Sequence, residues 1–401
     1  MTAVVVWAAC GGDSAEPAQV SDEPIRIGLL HPHTGALAGL GLDMTSGYEL
    51  YFEEEGMTIA GRPIEIIVED SEGNPSVGLD KLKKLIEREN VHIVAGPVSS
   101  GVAYGIADYI RQSEVPIFIT QATANGLTQG DRAPNIFRTA FSSDQLHLPM
   151  GEYYVNELGY SKIAGLALDY AAGHEHLTAF KNSLERAGGE MVQELYPRLG
   201  ETETSTYITA IKTDEIDAVN AILWGATAVP FINQQHEFGL RDDVPLTGLG
   251  SVVEDGLELP NQTPEAAEGV ISYLAYCLCL DTPANNAFKD SYEAANGRLP
   301  DYYTAIGYTG AKALGEAIKA VNGNVEDRDA FMAAAREVTF DGPMGPFRYD
   351  EYQNPILNVY VREVQIGPDG TAYNVLVDTI EDVDQFWGMS EEEKNALLNP
   401  S

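Results

Sequence analysis

The chain reads as α/β, two doubly wound lobes in tandem joined by a multi-stranded hinge. Three observations predict this. From residue 24 onward, short β-branched apolar runs alternate with helix-period segments, the pattern of parallel sheets flanked by helices. The same alternation starts afresh near Ser143. After three further helical segments, a β-like tail follows, so the chain passes between the lobes more than once, as in a clamshell that closes on a ligand.

In order, the first lobe reads as strand 25–30, helix 42–55, strand 64–69, helix 76–89, strand 91–95, helix 101–113 and strand 115–119. Val91-His92-Ile93-Val94-Ala95 and Val115-Pro116-Ile117-Phe118-Ile119 are too short and too β-branched for helices, and they lack the polar alternation of a half-exposed strand, so both read as buried and parallel. The second series is helix 143–158, strand 162–168, helix 173–187, strand 191–196, a helix around 207–212, strand 218–224, helix 228–238 and strand 246–249. A strand-like run over 270–280 precedes helical segments over 284–296, 303–321 and 328–338. Gly342-Pro343-Met344-Gly345-Pro346 then turns the chain into alternating runs over 347–349 and 356–364.

Across 401 residues, 24 basic and 61 acidic side chains give a net charge of −37. That field repels nucleic acid and an anionic bilayer surface, so nucleic-acid binding is excluded. The acidity fits a high-salt or acid-tolerant habitat or simple solubility. At the N-terminus an apolar run over 3–9 ends at Cys10, with Gly11-Gly12-Asp13-Ser14 behind it. Small residues before a cysteine resemble a bacterial lipoprotein lipobox, which implies lipidation of Cys10; an inert leader over 1–10 is the alternative. Residues 11–23 read as a flexible tether. Cys277 and Cys279, two apart in an expected strand, are expected as buried free thiols, since an i to i+2 bridge there is strained. No cofactor or metal site is expected.

Two turns rich in hydroxyls and small residues carry the functional signal. Gly96-Pro97-Val98-Ser99-Ser100-Gly101 and Thr120-Gln121-Ala122-Thr123-Ala124 follow the carboxyl ends of consecutive strands, where open α/β sheets place their ligands. Ser100 Oγ, Thr123 Oγ1 and the amides opening the 101–113 helix can converge on one anionic group, with Ser99, Gln121 and Ala122 beside them. An N-cap role for Ser99 or Ser100 is the plainer alternative.

With these turns, Ile25-Arg26-Ile27-Gly28, the loop His33-Thr34-Gly35-Ala36-Leu37-Ala38, Glu69-Asp70, Phe137-Arg138-Thr139, Asp169-Tyr170-Ala171-Ala172-Gly173 and Tyr302-Tyr303-Thr304-Ala305 stand in an order that resembles the branched-chain amino acid (Leu/Ile/Val) type of extracytoplasmic substrate-binding protein that feeds ABC importers. The resemblance implies the type I periplasmic binding-protein fold, with lobe 1 over 24–141 plus 276–338, lobe 2 over 142–275 plus 339–385, and a tail over 386–401. It also implies an extracytoplasmic monomer that meets ABC permease subunits and touches the membrane only through a lipid on Cys10. By the same resemblance Ser100 and Thr123 hold the ligand carboxylate, and Tyr170 closes on it from the second lobe. Amino-acid binders of this type place acidic residues where this chain has Phe141 with Ser142, and Gly250 with Ser251. An ammonium group there has no carboxylate partner, at a cost of several kcal/mol. With Phe141, Tyr170 and Trp224 near strand ends, the expected ligand is an aromatic acid; Trp224 in the core is equally open. The alternatives are an amino acid or amide, or the ligand-sensing domain of a regulator.

Enzymatic readings are weaker. Gly39-Leu40-Gly41-Leu42-Asp43-Met44 begins like a dinucleotide fingerprint but puts Met44 where Gly or Ala is required. His174-Glu175-His176 has two histidines pointing in different directions at the start of a helix and reads as helix surface. Only one of Glu69 and Asp70 can face the cleft, and no set of nucleophile, base and orienting group stands out.

Overall fold

A computed structural model describes residues 21–400; Cys10 and the leader lie outside them. Two sheets carry the fold. The first runs in the order Thr58–Ile59, Arg62–Asp70, Ile25–His31, Ile93–Ala95, Ile117–Ile119, Ile136–Arg138, parallel except for the short antiparallel pair at its edge. The second places Ile271–Leu274, Leu246–Leu249, Ala218–Ile222, Lys162–Ala167 and Glu190–Leu195 side by side in parallel. Pro355–Ile366 adds antiparallel to Ile271–Leu274 and also pairs with Ala372–Val383. This is the expected pair of doubly wound lobes.

Apolar side chains on both faces of the first sheet explain why Ile93–Ala95 and Ile117–Ile119 read as unbroken hydrophobic runs. Ile27, Leu29 and Ile93 pack on one face with Tyr48, Phe52 and Leu314, while Leu30, Val94 and Ile117 pack on the other with Leu82, Val102 and Ile106. Helices Ala38–Glu54 and Tyr302–Ala320 approach closely through glycine. A Cβ on Gly47 would stand 2.2 Å from the Thr304 carbonyl oxygen, and one on Gly307 would stand 2.2 Å from that of Met44. Gly47→Val should therefore force the helices apart and cost about 1 to 3 kcal/mol or more, the range for overpacking, read as a lowered unfolding midpoint.

The chain crosses between the sheets after Arg138, after Leu274 and again between Arg336 and Pro355, which makes the hinge multi-stranded. Among the described residues, no helix is long and apolar enough to cross a membrane.

Three local expectations need correction. The helix expected over 143–158 begins only at Met150 and ends in a π-turn over Tyr154–Leu158. Ahead of it the Gln145 side chain is drawn away to the carbonyls of Pro355 and Val383, both at 2.7 Å, and Pro149 offers no N–H to a preceding turn. The strand expected over 270–280 stops at Leu274, because the Tyr276 carbonyl accepts from Arg362 at 3.0 Å instead of joining the ladder. The chain then turns, with Leu280 N–H donating to the Cys277 carbonyl, and Cys277 and Cys279 form a disulfide with Cα atoms 5.0 Å apart. They are not free thiols: the strand geometry that forbade the bridge is absent. Among the elements not anticipated are the strand Ala372–Val383 and the helix Glu391–Leu398. The latter opens on a capping box between Ser390 and Glu393.

Candidate ligand site between the two sheets

The carboxyl ends of both sheets face one cavity. Its walls include Leu37, Leu40, Val98, Ser100, Gln121, Thr123, Phe141, Tyr302 and Tyr303 from the first-sheet side, and Tyr170, Ala172, His176, Trp224, Leu249, Ser251 and Leu274 from the second. The lobes meet around it: Tyr302 N–H donates to Glu254 Oε1 at 2.8 Å, and Tyr104 Oη donates to Glu175 Oε1 at 2.6 Å.

At the polar end, Ser100 is the first residue of helix Ser100–Ser113, and its Oγ lies 3.5 Å from Thr123 Oγ1. The turn below it depends on Gly96, whose φ of +107° and place 2.4 Å (as a built Cβ) from the Leu30 carbonyl oxygen leave no room for a side chain. Arg138, fully buried, holds the Thr123 turn from behind by donating to the carbonyls of Ala122 and Ala124. Burial lowers its pKa to about 10, so it stays charged. Thr123 Oγ1 also meets Ser143 Oγ at 2.9 Å and His176 Nε2 at 3.1 Å.

Rings line the rest. Phe141 stacks near Tyr302, with centroids 6.0 Å apart and planes at 30°, and stands edge-on to His176. Trp224 Nε1–H donates to the Tyr170 hydroxyl at 3.1 Å, and the two rings meet edge to face. Tyr302 Oη donates to Gln121 Oε1 at 2.6 Å. Burial holds the Tyr170 and Tyr302 phenols protonated. None of the described lining residues is Asp, Glu, Lys or Arg.

Ser100, Gln121, Thr123, Phe141, Tyr170 and Trp224 thus come together around the cavity, whereas Ser99, Ala122 and Gly250 do not line it. Ser99 takes the N-cap position without a side-chain cap bond. The Ala122 amide is spent on the Pro97 carbonyl at 3.0 Å. Gly250 is turned toward Arg362, whose guanidinium donates to the Gly250 carbonyl at 2.9 Å and would meet a Cβ there at 2.3 Å. Arg362 is itself paired with Glu254 at 2.9 Å, both fully buried; burial raises the Glu254 pKa to about 7, against the pull of Arg362.

The histidine triplet also needs correction. His174 is surface, paired with Asp169 at 2.9 Å and stacked on Tyr196. His176 is not: it is buried and faces the cavity. Its position was legible in the spacing, because Ala172, His176 and Phe180 recur every four residues on the inward face of helix Ala171–Arg186. Glu69 pairs with Lys81 and Lys84, and Asp70 accepts from the His33 amide and the Thr34 hydroxyl, so neither lines the cavity. Gly39 to Met44 lie inside a helix rather than in a phosphate-binding turn.

Two α/β lobes around an uncharged, ring-lined cavity with hydroxyls at one end have the build of a protein that binds a small molecule between its lobes. The chain belongs to the periplasmic binding protein family, whose model matches residues 24–371. It is similar to a solved ABC transporter substrate-binding protein from Sphaerobacter thermophilus, at 37% identity over 90% of this chain and 99% of that one, with a TM-score of 0.86. A solute-binding protein of an ABC transporter from R. palustris, solved in complex with benzoate, is 31% identical over 90% of this chain and 98% of that one, with a TM-score of 0.82. The Leu/Ile/Val-binding protein homolog 6 of Brucella melitensis is 26% identical over 89% of this chain and 92% of its own length.

Proposed function

We propose that the protein captures an aromatic carboxylate outside the cytoplasmic membrane and delivers it, without chemistry, to the permease of an ABC importer. The observation that carries this reading is the cavity wall: hydroxyls of Ser100 and Thr123 at one end, the rings of Phe141, Tyr170, Trp224 and Tyr302 along the sides, and, among the described residues, no acidic lining residue for an α-ammonium. The relative solved with benzoate supports it. Lobe 1, over 24–141 plus 276–338, holds the carboxylate; lobe 2, over 142–275 plus 339–385, closes by hinge motion and adds Tyr170 and Trp224. A ligand drives that closure only through its greater affinity for the closed form. The protein acts as a monomer, anchored by a lipid on Cys10.

The test is the affinity of Ser100→Ala and Thr123→Ala for benzoate. Each should weaken binding by about 1 to 3 kcal/mol, the cost of leaving a charged acceptor short of one donor. Unchanged affinity in both variants sinks the carboxylate site.

A further inference from the structure

Behind Thr123 runs a chain of side-chain hydrogen bonds that leads away from the cavity. Thr123 Oγ1 is 3.1 Å from His176 Nε2; His176 Nδ1 is 2.7 Å from His147 Nε2; His147 Nδ1 is 2.8 Å from the hydroxyl of Tyr273, on the second sheet. All four residues are buried. Of the titratable groups, His147 bonds His176 directly and Tyr170 shares the cavity wall with it, while Glu175, next to it in the chain, is turned to Ser143, Tyr104 and the Asn125 amide. Burial lowers the His176 pKa to about 3 and that of His147 well below its usual value, so both rings are neutral, each with one N–H and one bare nitrogen.

A neutral chain of this kind has only two directions. Either every proton points toward Thr123 or every proton points toward Tyr273. A phenol is the strongest donor in the chain and a bare imidazole nitrogen the strongest acceptor. That contrast favours one direction: Tyr273 O–H to His147 Nδ1, His147 Nε2–H to His176 Nδ1, and His176 Nε2–H to Thr123 Oγ1. With His176 donating to its oxygen, and Ser143 Oγ donating to the same oxygen at 2.9 Å, the Thr123 hydroxyl keeps its own hydrogen for the cavity and presents a donor there.

We propose that His176, oriented by His147 and Tyr273, is a positioning residue that fixes Thr123 as a hydrogen-bond donor and so makes the site prefer a carboxylate over the corresponding amide. This rests on the aromatic-acid reading for its ligand but not for its proton arrangement. The first measurement needs no ligand: long-range ¹⁵N–¹H correlation spectra of the protein should show His147 and His176 protonated at Nε2 and bare at Nδ1. Nδ1–H on both rings overturns the proposal.

The second compares benzoate with benzamide. In Tyr273→Phe, which keeps the ring and removes only the terminal donor, the benzoate-to-benzamide affinity ratio should fall about tenfold, with the unfolding midpoint used to check the fold. His176→Gln, whose amide can still donate, should keep most of the preference that His176→Leu loses. An unchanged ratio in Tyr273→Phe and in His176→Leu overturns the proposal. If the unaltered protein binds neither compound, the aromatic-acid reading fails, and the histidine spectra alone decide the proton arrangement.

Discussion

Arg362→Leu should destabilise the protein by about 3 to 5 kcal/mol, the range for breaking a buried ion pair on one side. Its guanidinium is fully enclosed and donates to Glu254 Oε2 and to the carbonyls of Gly250 and Tyr276. The substitution strands a carboxylate and two carbonyls without water. Glu254 can relieve part of the cost by taking up a proton, since burial already raises its pKa to about 7. Arg362→Leu with Glu254→Gln should therefore recover much of the loss, because the glutamine oxygen can still accept from Tyr302 N–H, the contact that joins the lobes. Urea unfolding of the single and double variants measures both effects. A double variant no better than Arg362→Leu alone would show that the pair itself is not the source.

The second large effect depends on pH. Glu258 is 1% exposed, and among the described residues its side-chain oxygens make no well-formed hydrogen bond, the Gly225 amide offering only a loose one. Burial, with Glu254 and Asp301 nearby, holds its pKa well above the usual carboxylate range. The folded protein keeps a proton there that the unfolded chain releases near pH 4.5, so this group makes the protein less stable as pH rises above that value. The slope is at most about 1.4 kcal/mol per pH unit, and the loss stops once pH passes the raised folded pKa. Glu258→Gln should flatten this part of the profile and raise stability at neutral pH. Unfolding midpoints of both proteins from pH 4.5 to 8 test it; parallel curves would contradict the assignment.

Much of the fold was legible because local signals agreed. Strand 246–249 falls where it was expected, and the helix expected over 101–113 is Ser100–Ser113. What eluded the sequence depended on contacts distant in the chain. Ile136–Arg138 is three residues long and becomes a strand only by pairing with Ile117–Ile119. Ala372–Val383 carries Asp378, Glu381 and Asp382, which break its apolar pattern, and becomes a strand through its ladder with Pro355–Ile366.

The site divides in the same way. Ser100 and Thr123 were recognisable because strand ends and turns are local features. The turning of Gly250 toward Arg362, rather than into the cavity that Leu249 and Ser251 line, was not, since Arg362 comes more than a hundred residues later. His176 lay between the two cases: its inward spacing was visible, but its polarity suggested the surface, and only His147 and Thr123 explain how a polar ring can be buried there.

The most direct test is a thermal-shift panel on the protein lacking its first 23 residues, with aromatic carboxylates, branched aliphatic acids, amides and α-amino acids. At about a hundred times the dissociation constant, a ligand adds about 2.7 kcal/mol of stability. Capture of an aromatic acid predicts a raised midpoint with benzoate or its hydroxylated relatives and none with leucine or valine. A shift with leucine or valine alone would contradict the account and make the cavity an amino-acid site without an acidic partner.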